Sequence, residues 1–199
     1  MSTELLVAFV VFAVATLFTP GPNNIMLMTS GLNFGFVRTL PHAFGVALGF
    51  GFLVLVVGLG LGAVFAAYPA IYSLIKFVGA AYLLYLAWRI ANAGPAEGGT
   101  RGRPLTFLEG AAFQWVNPKG WVMAVGAVSA YAAVARFPLN IALIAAIFAA
   151  LGTLSSWTWL LFGTGLRPLV TDPRKVRAFN IVMALALAAS LVPVFFERA

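Results

Sequence analysis

Two short segments contain most of the residues of this chain that could bind a small polar molecule. They read TPGPNNI at residues 19–25 and QWVNPKGW at residues 114–121, and each interrupts a long apolar stretch. A proline inside a helix removes one hydrogen-bond donor and leaves a backbone carbonyl without its partner. Thr19–Pro20 and Asn117–Pro118 each place a side chain that can cap a helix before a proline that suits the first helical turn. We therefore predict a broken helix at each segment.

The chemistry expected at the two breaks is the binding of a zwitterion. A helix that restarts after a break presents a positively polarised N-terminus and free amide groups, which suit a carboxylate. The freed carbonyls and the amide side chains can accept hydrogen bonds from an ammonium group. A proline kink used only for packing is the alternative, but two matched breaks rich in amides favour a site. The predicted substrate-binding residues are Thr19, Gly21, Asn23, Asn24, Gln114, Asn117 and Lys119, and the prolines that break the helices are Pro20, Pro22 and Pro118.

The composition indicates that lipid surrounds most of the chain. Of its 199 residues, 62% are hydrophobic and only 9% are charged, and the mean hydropathy is +1.01. Ordinary globular domains have about a quarter of charged residues. A membrane span needs about 20 residues, so the chain can hold six spans with short loops. The predicted spans are about residues 5–30, 41–67, 70–91, 107–133, 139–165 and 176–196.

The predicted fold is an all-α integral membrane protein whose six transmembrane helices form two inverted three-helix repeats. Pro20 and Pro118 are 118 − 20 = 98 residues apart, close to half the chain, and they fall in the first and fourth helices. Because each repeat has an odd number of helices, the two repeats must have opposite orientations in the membrane. Broken helices in matching positions of inverted repeats indicate a transporter's binding site. The single transmembrane domain, residues 1–199, is divided into a first repeat (about 1–91), a cytoplasmic linker (about 92–106) and a second repeat (about 107–199).

The basic residues predict the orientation of the helices. The loops after the first, third and fifth helices contain eight Lys and Arg residues, whereas the other loops and the two ends contain Arg136 and Arg198. Basic residues concentrate in the cytoplasmic loops of membrane proteins. We therefore expect both termini on the outer, periplasmic side, and the net charge of +7 reflects this rule rather than nucleic-acid binding.

Lys119 is the basic residue expected near the middle of the membrane. Ten residues separate it from Glu109 at the cytoplasmic edge, which corresponds to about 15 Å along a helix. An ionisable residue at that depth is a functional candidate, because exposing it to lipid costs at least a few kcal/mol. We predict that Lys119 faces the site and pairs with the substrate carboxylate. Extension of its side chain to the interface is the alternative, and whether it binds substrate or carries a proton stays open.

The remaining titratable residues limit the chemistry that the chain can perform. The chain has no cysteine and one histidine, His42, which leaves no thiol nucleophile and no cluster of side chains for a metal or another cofactor. A membrane-embedded enzyme is therefore not expected. No acid lies in a predicted helix core, so a dicationic substrate has no partner and a neutral amino acid is favoured. The acidic residues, all at helix ends or in loops, are Glu4, Glu97, Glu109, Asp172 and Glu197.

Three longer segments resemble a known family. TPGPNNI at 19–25, KFVGAAYLLYLAW at 76–88 and FLEGAAFQWVNPKG at 107–120 are similar to signatures of the lysine exporter superfamily, in its homoserine/threonine exporter branch. The run GTLSSWTWLLFG at 152–163, NIVMALAL at 180–187 and the spacing of Gly45 and Gly49 resemble the cysteine and O-acetylserine exporters within it.

The resemblance implies a bacterial inner-membrane exporter of neutral amino acids or their derivatives, of the homoserine/threonine or cysteine/O-acetylserine type. It further implies a proton-linked secondary transporter that works by alternating access, with a homodimer as an expected assembly. An exporter of another small solute or of a metal cation, and a membrane subunit that transports nothing, are the alternatives.

The family motifs also imply roles for individual residues. The first motif falls on Pro20, Gly21, Pro22 and Asn23, and the second falls on Asn117, Pro118 and Lys119. The glycine-aromatic motif of the third helix falls on Gly79 and Tyr82, for which we expect close helix packing, as for Gly45 and Gly49. Some relatives carry an aspartate in the fifth helix, where this chain has Ser155 and Ser156.

Overall fold

The computed structural model describes residues 3–61, 67, 69–96 and 99–192, and most of them are helical. A π-helical turn, Val57–Leu61, continues α3, and 3₁₀ turns at Gln114–Val116 and Ala132–Val134 follow α5 and α6. In this part of the chain the α-helices are α1 (Thr3–Phe18), α2 (Pro22–Phe34), α3 (Phe36–Val56), α4 (Pro69–Ala91), α5 (Phe107–Phe113), α6 (Pro118–Tyr131), α7 (Leu139–Leu166) and α8 (Pro173–Ala189).

The linker between the two halves contains a short β-hairpin that the all-α prediction missed. Its strands are β1 (Gly94–Ala96) and β2 (Gly99–Arg101), which pair antiparallel with Gly94 opposite Arg101. The two strands are only three residues long each. So short a pair has no apolar periodicity for sequence reasoning to detect.

The junction between the first two predicted spans is tighter than the sequence analysis expected. Instead of a loop from about residue 31 to 40, α2 continues to Phe34 and α3 begins at Phe36 with Pro41 inside it. Gly35 makes the junction in a single residue, because its φ of 83° lies in the left-handed region that glycine adopts without strain. The prediction of a loop here was therefore wrong.

The lengths of the helices limit how many of them can cross a membrane as single helices. Among the described residues, two helices are long and apolar enough to cross a membrane, Phe36–Leu61 and Leu139–Leu166. The pair Thr3–Phe18 and Pro22–Phe34, bent by 52°, gives a third if it forms one span. The predicted fourth span is divided at residues 114–117 into helices of 7 and 14 residues, so neither half is long enough by itself.

The centre of the molecule is built from α3 and α7, which pack against each other. The second half of the first broken helix, α2, packs on α7, and the first half of the second broken helix, α5, packs on α3. Glycines permit both contacts. A Cβ atom on Gly31 or Gly163 would overlap the facing backbone between α2 and α7, and one on Gly45 would overlap Phe107 between α3 and α5. The backbone of each broken helix is therefore in direct contact with the backbone of one helix of the central pair.

Two groups of buried apolar side chains surround the central pair. In the first, Phe9 of α1 and Phe50 of α3 each lie 5.1 Å from the ring of Phe148 of α7 in edge-on geometry. In the second, α4 and α8 pack together, and Leu83 and Leu187 join the cluster that contains Phe113. The first group contains residues of α1 and α6, and the second contains residues of α2 and α5, so each cluster packs one half of both broken helices.

The outer surface of the bundle is apolar. Large hydrophobic side chains with more than half of their surface exposed occur on all the long helices, including Val11, Phe52, Leu74, Phe162 and Leu185. Soluble proteins rarely expose apolar surface on this scale. The distribution fits a protein whose helices face acyl chains.

Candidate substrate-binding site

The first break separates α1 from α2. α1 ends at Phe18 and α2 begins at Pro22, with Gly21 as the extended residue before it. The sequence analysis expected Thr19 to cap the new helix and Pro20 to open it, and this detail was wrong. The Thr19 hydroxyl donates back to the Ala15 carbonyl, and Gly21 precedes the helix without a side-chain cap. Pro20 cannot continue α1, because it lacks the backbone N–H that a helix needs. The new helix then begins at the second proline, Pro22.

Side chains donate hydrogen bonds to two backbone carbonyls at the first break. The Leu17 carbonyl accepts from Asn24 Nδ2 at 2.9 Å and from Ser155 Oγ at 2.8 Å. The Thr19 carbonyl accepts from Asn24 Nδ2 at 2.9 Å and from Lys119 Nζ at 2.9 Å. Because Asn24 is buried, its amide can replace the missing helical donors where water does not.

The second break separates α5 from α6 by a tightened turn. Residues Gln114–Val116 form a 3₁₀ turn, Asn117 is extended, and Pro118 begins α6. Pro118 therefore occupies the first helical position, as the sequence analysis expected, but the Asn117 side chain makes no capping hydrogen bond. Asn117 is 2% exposed, and no group in the described part of the chain donates a hydrogen bond to its Oδ1. A buried amide oxygen without a partner is uncommon and costs about 1–3 kcal/mol.

The two breaks lie against each other and are joined by side chains. Asn23 Nδ2 donates to Gln114 Oε1 at 2.9 Å, and Gln114 Nε2 donates to Asn23 Oδ1 at 3.0 Å. Gln114 Nε2 also donates to the Gly110 carbonyl at 2.9 Å, which uses both of its protons. Together with the bond from Lys119 to the Thr19 carbonyl, these contacts link residues that are nearly half the chain apart in sequence.

A cavity lies where the breaks meet. Lys119 enters it from α6 and passes over Gly21, where a Cβ atom would lie 3.0 Å from Lys119 Cδ. Val46, Phe50 and Met123 supply apolar wall. Six of the ten residues predicted for the site or its breaks line this first cavity, namely Gly21, Pro22, Asn23, Asn24, Asn117 and Lys119.

The other four predicted residues lie beside the cavity rather than in its lining. Thr19 contributes its backbone carbonyl to Lys119, and its side chain is exposed. Gln114 is fully buried and is bonded to Asn23, so the geometry gives it a linking role. Pro20 and Pro118 flank the breaks without contributing to the lining.

The structure adds residues that the sequence analysis did not assign to the site. Ser155 and Ser156 of α7 are both nearly buried and line the cavity, and Thr16 of α1 joins them. The sequence analysis noted the two serines only as a departure from relatives that carry an aspartate. Adjacent hydroxyl residues in the middle of a 28-residue apolar helix were the available signal, but only the fold shows that they face α1.

The residues predicted to pack closely lie around the second broken helix. A Cβ on Gly45 or Gly49 of α3 would overlap Phe107 or Ala111 of α5, and one on Gly79 of α4 would overlap the Val116 carbonyl. The Tyr82 ring lies 6.0 Å from that of Phe113. These contacts bring α3 and α4 against α5 and the 3₁₀ turn, and so hold the second break in place.

The polar groups of the first cavity suit a small organic ion. Its lining offers one ammonium, three amide side chains and hydroxyls, which can hydrogen-bond to such an ion. Within residues 3–61, 67, 69–96 and 99–192, no three His, Asp or Glu side chains come together.

Two broken helices that meet at a polar cavity inside an apolar helical bundle are typical of secondary transporters. Comparison with known families agrees with this class. The LysE type translocator family matches residues 14–195. The chain therefore belongs to the LysE type translocator family, which confirms both the predicted superfamily and the prediction of a transporter rather than an enzyme. With its long apolar helices, it is a multi-pass membrane protein.

Curated relatives match along the whole chain. The cysteine/O-acetylserine efflux proteins of Escherichia coli (strain K12) and Shigella sonnei (strain Ss046) are each 32% identical to it over 198 residues. Each match covers 98% of this chain and 100% of the relative. No solved structure matches the chain significantly.

Proposed function

We propose that this protein exports small neutral amino acids of the cysteine or O-acetylserine type across the bacterial inner membrane. The observation that carries the proposal is the meeting of both breaks at one cavity that contains an ammonium group, Lys119, and an unpartnered amide oxygen, Asn117 Oδ1. These two groups complement the carboxylate and the ammonium of a zwitterion.

The carboxylate of the substrate would bind at Lys119. Its Nζ donates one hydrogen bond to the Thr19 carbonyl, and an ammonium group has three donors. Two therefore remain for a ligand in the cavity. The first amides of α2 and α6, beside Gly21 and Gly120 in the lining, lack helical acceptors and add to the positive potential there.

The ammonium group of the substrate would bind at Asn117. The Oδ1 atom is buried and accepts from no group of the described residues, so a ligand that donates to it removes an existing cost. No aspartate or glutamate is among the residues that line the described cavity. A second positive charge on the substrate would therefore lack a partner, which favours neutral amino acids over basic ones.

The names of the relatives support the same substrate class. They are cysteine/O-acetylserine efflux proteins that are alike in length and match along the whole chain. The apolar wall formed by Val46, Phe50 and Met123, with the hydroxyl of Ser156 beside it, would accommodate a short side chain of mixed polarity. Export of another small solute remains the competing interpretation within the family.

We further propose that the six predicted spans form two inverted repeats. Two arrangements support this. A break occurs in the first helix of each half, and the broken helix of each half packs through glycines on the central helix of the other half, α2 on α7 and α5 on α3. Alternating access would then move one repeat relative to the other around the breaks. The positive-inside rule places both termini outside.

We also propose that export is coupled to the proton gradient. Lys119 is the ionisable side chain in the lining of the cavity, so it or the substrate itself would have to carry the proton. If Lys119 does so, an imposed pH gradient should accelerate substrate flux in proteoliposomes. Flux that does not respond to the gradient would remove proton coupling while leaving export itself intact.

Counterflow in proteoliposomes tests the proposed function. Vesicles loaded with unlabelled L-cysteine under reducing conditions should accumulate labelled L-cysteine transiently, and external O-acetylserine should compete. L-lysine should compete weakly, because its second ammonium group has no partner in the cavity. Protein-free vesicles are the control. Equal competition by lysine would refute the neutral specificity, and the absence of counterflow with every neutral amino acid would refute the function.

A further inference from the structure

A second cavity lies at the other end of α2 from the first. The C-terminal half of α2 supplies Ser30 and Asn33 to its lining, α3 supplies His42, and α4 and the linker supply Arg89 and Arg103. Asn23 in the first cavity and Asn33 in the second are ten residues apart on one helix, which corresponds to about 15 Å. The positive-inside rule places this second cavity on the cytoplasmic side.

His42 is the most unusual group in the second cavity. It is 0% exposed, and neither ring nitrogen has a hydrogen-bond partner among the described residues. A neutral imidazole has one donor and one acceptor nitrogen, and buried polar atoms in native proteins are almost always paired. His42 is among the residues that line the second cavity, so a ligand that displaces the side chains covering the ring can supply the missing partner.

The second cavity also has an excess of positive charge. Arg103 forms a bidentate pair with Glu109, with Nη–Oε distances of 2.6 and 2.7 Å, and this hydrogen bonding raises the pKa of Arg103. Both carboxylate oxygens of Glu109 therefore already accept hydrogen bonds from Arg103. Arg89 makes only a long bond of 3.4 Å to the Arg103 carbonyl and a contact with the Tyr85 ring. Among the described residues around the second cavity, the guanidinium of Arg89 is left without a carboxylate.

We propose that the second cavity is an additional binding site for a small carboxylate-bearing solute. Arg89 would bind the carboxylate, and His42 would hydrogen-bond to the same ligand. The inference rests on the proposed function and extends it: the solute is the amino acid to be exported, which would be taken up here before it reaches the breaks. An arginine suits this role because its planar group can bind a carboxylate through two parallel hydrogen bonds.

The two cavities are separate sites, because they share no lining residue. The reciprocal Asn23–Gln114 pair joins the two breaks, and neither Gln114 nor the buried Phe113 lines either cavity. A ligand in the second cavity would therefore not contact Lys119. Transfer between the sites would require the two breaks to move apart, which alternating access provides.

Equilibrium binding of labelled L-cysteine to the purified, detergent-solubilised protein tests the inference. We expect two sites in the wild type and one residual site in Lys119→Ala. In the Lys119→Ala background, Arg89→Gln should weaken the residual site about tenfold or more, since a hydrogen bond to a charged group contributes about 1.5–3 kcal/mol. Arg177→Gln is the matched control, because Arg177 is an exposed arginine of α8 on the same predicted side of the membrane.

Competition measurements show which group of the ligand the residual site binds. Acetate should compete for the residual site, and cysteinamide, which lacks the carboxylate, should not.

One site in the wild type and none in Lys119→Ala, while the wild type still transports, would overturn the second site and leave the export function standing. A wild type that neither binds nor transports any neutral amino acid would overturn both. His42→Gln, which keeps a donor and an acceptor, should bind more tightly than His42→Leu if the ring contacts the ligand.

Discussion

The first break, at residues 19–21, and the second, at residues 114–117, use proline alike but satisfy their backbone groups differently. At the first break, Asn24, Ser155 and Lys119 donate to the Leu17 and Thr19 carbonyls. At the second, a 3₁₀ turn absorbs the interruption, and the buried Asn117 Oδ1 has no partner among the described residues. Asn24 is thus engaged within the protein, whereas Asn117 keeps an acceptor for a ligand.

This difference assigns the two breaks different tasks. A break whose asparagine is bonded to the backbone contributes mainly to stability and to the shape of the first cavity. A break with an unpartnered buried oxygen contributes mainly to ligand affinity, because the ligand relieves the cost. Lys119 belongs to both, since it starts on the second helix and bonds to the first break. Substitutions at matched asparagines can therefore separate stability from affinity.

The largest effect is expected from Lys119→Ala, which removes the ammonium group shared by the two breaks. Transport efficiency should fall about 100-fold, because a charge-assisted hydrogen bond to the carboxylate and the bond to the Thr19 carbonyl are both lost. Counterflow in proteoliposomes measures it, and Lys175→Ala, a change at an exposed lysine of α8, is the control. Wild-type transport by Lys119→Ala would remove this residue from the site.

Asn24→Leu should primarily destabilise the protein. Its Nδ2 donates to two carbonyls of the first break, and at about 1 kcal/mol for each hydrogen bond the loss is about 2 kcal/mol. Thermal unfolding in detergent should show a lower melting temperature than the wild type. A variant with unchanged melting temperature but impaired binding would contradict the structural role of Asn24.

Asn117→Leu should have the opposite signature from Asn24→Leu. The change removes an oxygen that has no partner, so the melting temperature should stay the same or rise slightly. The half-saturation concentration for cysteine should increase about tenfold, which corresponds to one lost hydrogen bond to a charged donor. If Asn117→Leu loses stability and retains affinity, the contrast between the breaks is refuted.

The smallest effect concerns the contact that joins the breaks. In a double-mutant cycle of Asn23→Leu and Gln114→Leu, each single change leaves the remaining amide without this partner, and the double change removes both amides. The double variant should therefore lose about 1 kcal/mol less than the sum of the single variants, measured by unfolding in detergent. Additive losses would show that the reciprocal pair does not couple the two halves.

Much of the helix order followed from the sequence. The apolar runs that start near residues 70 and 139 became α4 and α7 nearly as predicted, because long uncharged stretches have few alternatives to a helix in lipid. The junction at Gly35 and the short hairpin in the linker did not follow. A single left-handed glycine and two strands of three residues are local choices that tertiary contacts decide.

The candidate site shows the same division at the level of side chains. The sequence indicated the polar residues at 19–25 and 114–121, since prolines and amides within apolar stretches stand out. It could not show that Gln114 pairs with Asn23, that Lys119 reaches the Thr19 carbonyl, or that Ser155 reaches the Leu17 carbonyl. These contacts join helices that are distant in sequence, and their partners depend on how the helices cross.

The sequence by itself determined the solvent of this protein and the positions of its breaks. Apolar composition requires lipid around the helices, and proline lacks the donor that a helix needs, so both properties are local. Tertiary structure decided which freed groups are satisfied internally and which remain available to a ligand. The physical reason is that a hydrogen bond across the bundle depends on the separation and rotation of two packed helices, and glycines such as Gly31 and Gly45 set that separation.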